Sequence, residues 1–177
     1  DTLLAVLAGA ATEPGDRVAI PVDTSLAVED FLADRGVTVE RTPVGDVFVA
    51  RAVADGAAFG GEPSGSWIWG TGTLCPDGLL AAVKLAELAA EQPLIERVRA
   101  IPDYPIRRAN MEVEDKTRIM EVVTATAESS YDDVTTMDGV RVGTDDGWFL
   151  VRASGTQPLI RVTAEARKPS HVESLFN

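Results

Sequence analysis

Apolar segments of strand length alternate with helical segments as far as about residue 91, and this alternation restricts the front of the chain to an α/β layer with mainly parallel strand pairing. Residues 1–11 are apolar nearly all round, as in a buried helix. Residues 17–22 (RVAIPV) read as a buried strand. Residues 24–34 form an amphipathic helix with Leu26, Phe31 and Leu32 inward and Gly36 as its stop. Residues 37–42 alternate as a strand does, residues 46–54 are helical, and residues 57–59 form a short strand that runs into glycines. Residues 67–69 (WIW) suit another strand. Residues 77–90 make a long helix with Asp77 placed to cap it.

The pattern then changes. Residues 92–105 contain three prolines and read as a linker. Residues 106–113 suit a strand and residues 115–127 a helix. Residues 134–137 and 140–142 flank Asp138-Gly139, a strong hairpin turn. Residues 148–152 and 159–165 form a second strand pair around Ser154-Gly155. This half is expected to be a small α+β domain on an antiparallel sheet. The expected division is residues 1–98 and 99–177, with no internal repeat.

Charge excludes some functions. Acidic residues outnumber basic ones 28 to 16, a net charge of −12, which speaks against a nucleic-acid surface. The only lysines are Lys84, Lys116 and Lys168. An acidic, lysine-poor, alanine-rich chain has the composition of salt-loving archaeal proteins; a GC-rich genome gives the same bias. Cys75 is the one cysteine, so no internal disulfide can form, and a reducing cytoplasm is the expected compartment. No CxxC pair, histidine cluster or HExxH suggests zinc. No apolar run reaches membrane-spanning length, so no membrane partner is expected. The first residue is Asp1 and not methionine, as in a fragment of a longer protein and also in a processed chain.

Two loops carry chemistry. Residues 152–161 (RASGTQPLIR) are a strand, a polar turn and a strand. Gly155 lets backbone N–H groups approach an anion, and Ser154 and Thr156 add hydroxyls. Arg152 and Arg161 stand at the two ends of the turn, where guanidinium groups give forked contacts to phosphate oxygens. Period-two alternation puts Arg161 on a polar face with Thr163 and Glu165. A plain hairpin with surface arginines would carry the same residues. The second loop is residues 59–66 (FGGEPSGS). Glu62 offers two acceptor oxygens and Ser64 a donor and an acceptor, which suits vicinal sugar hydroxyls. The structural alternative is a βα connection with one capping carboxylate.

Together these loops resemble the α-D-phosphohexomutases. The carriers are Gly61-Glu62-Pro63-Ser64-Gly65, an Asp77-Gly78 helix start, residues 152–161, and Glu165-Ala166. Thr42-Pro43-Val44-Gly45-Asp46 resembles the same family's Thr-x-Val-Gly-Asp turn, and Asp1-Thr2-Leu3-Leu4 its helix after the metal loop. The resemblance spans nearly the whole chain, as the family's third and fourth domains. It implies a mutase that interconverts hexose 1-phosphates and 6-phosphates through a bisphosphate. Glu62, Ser64 and Gly61 would bind sugar, and Arg152, Ser154, Gly155, Thr156 and Arg161 phosphate. The catalytic phosphoserine and the acidic loop for Mg2+ are not in these residues, so no catalytic or metal-binding residue is expected here. The partners implied are a hexose phosphate and the amino-terminal domains of the same enzyme. A non-catalytic phosphosugar-binding module is the alternative. Two positions depart from the family pattern: Gln157 stands where Glu is usual, and Ser66 where bacterial members often have His. The single histidine, His171, is expected to be exposed.

Overall fold

The computed structural model describes residues 1–176. The chain divides into two units, 1–103 and 104–177.

The first unit runs α1 (Thr2–Ala11), β1 (Arg17–Pro21), α2 (Leu26–Ala33), β2 (Thr38–Thr42), α3 (Asp46–Ala54), β3 (Phe59–Gly61), β4 (Trp67–Trp69), α4 (Gly78–Glu91) and α5 (Leu94–Arg99). Its sheet has the order β2-β1-β3-β4. β1 pairs in parallel with β2 and β3, and β4 closes the edge antiparallel to β3. The connection from β1 to β2 passes through α2 and that from β2 to β3 through α3, as parallel pairing demands. Ala19 of β1 and Ile68 of β4 pack against Val49, Ala52 and Val53 of α3. Five consecutive residues of α1, Leu4 to Ala8, are buried, which explains its lack of a polar face.

Several local expectations shift. The third strand begins at Phe59 and takes in Gly60 and Gly61, so two of the loop's glycines are strand residues and fully buried. Their role is volume: a Cβ on Gly60 would lie 2.6 Å from Val49 Cγ1, and one on Gly61 2.5 Å from Trp67 Cδ1. In α2, Leu26 is only half-buried, and Ala27 and Val28 take the inward places beside Phe31 and Leu32. β2 is an edge strand, so the burial of its residues does not alternate. The presumed linker holds a helix, α5, whose Arg97 pairs with Glu91 at 2.9 Å. The prolines flank this helix, where they cost it no hydrogen bond. Asp77 caps α4 as expected, accepting from Leu80 N–H at 2.8 Å.

The second unit runs β5 (Ile106–Glu112), α6 (Lys116–Ser130), β6 (Val134–Thr135), β7 (Val140–Thr144), β8 (Gly147–Ala153), β9 (Leu159–Ala166) and α7 (Pro169–Phe176). All its strand pairs are antiparallel, in the order β5-β9-β8-β7-β6. Gly139 turns the β6–β7 hairpin with φ +81°, and a Cβ there would reach Val151 O at 2.5 Å. Ala127 of α6 packs with Val140 and Val142, and Val172 of α7 with Ala164 and Ala166. The opposite sheet face carries Trp148, fully buried, whose indole Nε1–H donates to buried Glu165 Oε2 at 2.7 Å. The Arg141 guanidinium lies 4.9 Å from the centre of the Trp148 ring. His171 is partly exposed and lies 3.0 Å from Asp146 Oδ2.

Candidate functional site

In the first unit the motif residues gather where parallel strands end. The turn after β2 leads into α3, and the residue 62–66 turn leaves β3 for β4. Open α/β sheets bind ligands at this carboxyl edge. The 62–66 turn is a strand–strand connection and not a βα connection. It is closed by Glu62 N–H to Ser66 O at 2.9 Å and Gly65 N–H to Glu62 O at 3.1 Å. Gly65 has φ +103°, which favours glycine.

Glu62 joins the two motifs. Its Oε1 accepts from Gly45 N–H at 2.9 Å, and its Oε2 from Ser64 Oγ at 3.4 Å. Gly45 is the N-cap of α3 and has no side chain to offer, so a carboxylate seventeen residues away caps the helix and faces its positive end. A carboxylate has about four acceptor positions, so Glu62 keeps capacity for a ligand hydroxyl. Ser64 is exposed, and Gly61 lies buried in β3.

In the second unit Arg152 of β8 and Arg161 of β9 are directly opposed across the ladder. Like charges so placed are destabilising unless something neutralises them. Arg152 Nε meets Asp138 Oδ1 of the β6–β7 turn at 3.0 Å. Arg161 is exposed and has no acidic partner among the described residues. Ser154 is buried: its N–H donates to Leu159 O at 2.9 Å, and its Oγ accepts from Gln157 N–H at 3.3 Å. Its own hydroxyl proton remains available to an acceptor. Gly155 and Thr156 are exposed, and neither amide donates to another group among the described residues. Gly155 does not have a left-handed φ, and a Cβ there would meet nothing within 4 Å, so neither the backbone nor the packing around it demands glycine. Two amides without a partner among the described residues and two hydroxyls thus lie in one turn whose flanking strands carry two arginines, a set of groups that suits an oxyanion.

Sequence reasoning passed over Lys116, the first residue of α6. Its Nζ donates to Ser154 O at 2.7 Å and stands 3.4 Å from Gln157 O, behind the turn. No short-range spacing signals that contact, which crosses 38 residues. It also did not link Glu62 to the turn after β2. A cavity of about 680 Å³ in the first unit, lined by Ala10, Asp16, Trp69, Lys84 and Glu91 among others, includes none of the motif residues. It lies by Asp16 and Ala58, where β1 and β3 begin, at the far end of the strands from the motif turns. Among the described residues, no three His, Cys, Asp or Glu side chains gather in a group that could hold a metal ion. No helix among them is long and apolar enough to cross a membrane.

Residues 1–104 match the family model for phosphoglucomutase/phosphomannomutase, alpha/beta/alpha domain III, and residues 109–177 match that for the phosphoglucomutase/phosphomannomutase C-terminal domain. The chain belongs to this family. It is 45% identical over 167 residues, 92% of its length, to a probable phosphoglucosamine mutase of Methanopyrus kandleri. It is 41% identical over 176 residues, 94% of its length, to the phosphoglucosamine mutase of Methanococcus aeolicus. It spans 37% and 39% of the lengths of these relatives. In fold it is similar to a phosphoglucomutase/phosphomannomutase family protein of Burkholderia thailandensis, at TM-score 0.84 and 21% identity, over 99% of this chain and 39% of that one. The Aspergillus fumigatus N-acetylphosphoglucosamine mutase, solved with GlcNAc-6P and magnesium, is similar at TM-score 0.68 and 16% identity, over 98% of this chain and 41% of that one.

Proposed function

We propose that this chain is the sugar- and phosphate-holding part of a phosphohexomutase that interconverts hexose 1-phosphate and 6-phosphate through a bisphosphate. The observation that carries this reading is the turn between Arg152 and Arg161, with two unengaged amides in a chain of net charge −12. Phosphate on that turn would neutralise the opposed arginines and supply acceptors to Gly155 N–H, Thr156 N–H and the Ser154 hydroxyl. Glu62 and Ser64 would take the sugar hydroxyls. Holding, not bond-making, is then the work of these residues: they position the substrate for a phosphoryl transfer whose phosphoserine and magnesium loop belong to other parts of a longer protein. Among hexose phosphates, glucosamine phosphate is the first to test, because the curated relatives carry that name.

Phosphate titration of the chain, followed by backbone amide NMR, tests the clamp. The shifts are expected to cluster on residues 152–161 and to weaken with salt; shifts that cluster elsewhere would defeat the reading. For the sugar site, the complete enzyme is compared with Glu62→Ala and Glu62→Gln. A hydrogen bond to a charged group is worth about 1.5–3 kcal/mol, so kcat/KM should fall at least about tenfold in Glu62→Ala. Glu62→Gln keeps an acceptor for Gly45 N–H and should retain the stability that Glu62→Ala loses. Unchanged kinetics in both variants would leave Glu62 as a helix cap alone.

A further inference from the structure

Lys116 breaks a local rule. A cation in the first turn of a helix faces the positive end of the helix dipole and is disfavoured there. Lys116 occupies the first position of α6, a helix of 15 residues, and is one of only three lysines in the chain. Ordering so long a side chain also costs conformational entropy. The compensation is the contact with Ser154 O at 2.7 Å, with Gln157 O at 3.4 Å. Both carbonyls belong to the turn between Arg152 and Arg161.

The chemistry of that contact reaches the other side of the turn. The Ser154 carbonyl and the Gly155 N–H are the two ends of one planar peptide and point in opposite directions. A cation on the oxygen draws electron density toward itself and makes the N–H a stronger donor, as hydrogen bonds in a chain polarise one another. Gly155 is exposed, and its amide donates to no other group among the described residues. The lysine also pins both ends of the four-residue segment 154–157, so the turn keeps its shape before any ligand arrives.

We propose that Lys116 is a positioning residue for anion binding: it acts through the Ser154 carbonyl to hold the turn and to strengthen the Gly155 N–H as a donor to phosphate. This rests on the reading of residues 152–161 as a phosphate clamp.

The test titrates inorganic phosphate into the 177-residue chain and its Lys116→Met and Lys116→Arg variants, with amide shifts and thermal melts recorded for each. Methionine keeps the unbranched stem and removes the charge; arginine keeps the charge and the donors. A Gly155 donor and a looser turn that together bind phosphate more weakly by about 1 kcal/mol correspond to about fivefold. Lys116→Met should therefore weaken phosphate binding about fivefold and shrink the phosphate-induced shift of the Gly155 amide, and Lys116→Arg should restore most of both. If Lys116→Met binds phosphate as tightly as the parent with the same Gly155 shift, whatever its melting temperature, the inference is overturned and the clamp stands. If the parent's phosphate shifts lie outside residues 152–161, the clamp fails and the role of Lys116 with it.

Discussion

Trp148→Ala is expected to lower the stability of the second unit by about 3–5 kcal/mol, the range for deleting a buried tryptophan or phenylalanine side chain. Trp148 is fully buried, and its indole N–H donates to Glu165, itself 1% exposed. Truncation therefore opens a cavity and removes one hydrogen bond to a buried carboxylate. For a domain of this size each kcal/mol moves the melting point by about 4–8 °C, so a fall of more than about 12 °C should appear in thermal denaturation. Trp148→Phe keeps one aromatic ring but loses the N–H and part of the indole's volume, and should cost less than Trp148→Ala. If the two variants melt together, the hydrogen bond and not the packing dominates at this position. If Trp148→Ala melts within 2 °C of the parent, the core assignment is wrong.

Arg161→Ala is expected to weaken phosphate binding by about 10- to 100-fold with little change in melting. Charge-assisted hydrogen bonds are worth about 1.5–3 kcal/mol each, and a forked contact supplies two. Arg161 is exposed and has no acidic partner among the described residues, so its removal breaks no ion pair and relieves its opposition to Arg152. Arg152→Ala should weaken phosphate comparably and also cost stability, because Arg152 is bonded to Asp138 at 3.0 Å. Isothermal titration beside thermal melts separates the two. Unchanged phosphate affinity in both variants would remove the clamp assignment.

The elements legible in the sequence were those set by local pattern. Residues 46–54 combine helical spacing with an acidic first turn, and α3 runs Asp46–Ala54. Gly139 marks its hairpin because the turn needs a positive φ. The fold class was legible for the same reason, since alternation of strand and helix is a local property repeated. Features set by tertiary packing were not legible. Gly60 and Gly61 read as part of a loop, yet they lie in β3, where Val49 and Trp67 fill the space a side chain would need. The three prolines of residues 92–105 hid α5, since a proline before a helix reads like one that prevents it. At the candidate site the residue types were visible, but their bonds were not: Glu62 to Gly45 and Lys116 to Ser154 both cross long stretches of chain. Buried Glu165 stood in a recognisable motif without revealing that it accepts from Trp148.

The mixed nature of residues 60–65 bears on how a mutational scan of this segment would be read. Sensitivity at Gly60 or Gly61 would report on occupied volume, because Val49, Val53, Trp67 and Leu4 leave no room for a methyl group. At Gly65 nothing lies within 4 Å of the missing Cβ, so intolerance there would report on backbone dihedral alone. Only at Glu62 and Ser64 would loss of activity in a stably folded variant speak of ligand chemistry. One six-residue segment thus holds three separate kinds of constraint, and a library scored by activity alone would count them as one.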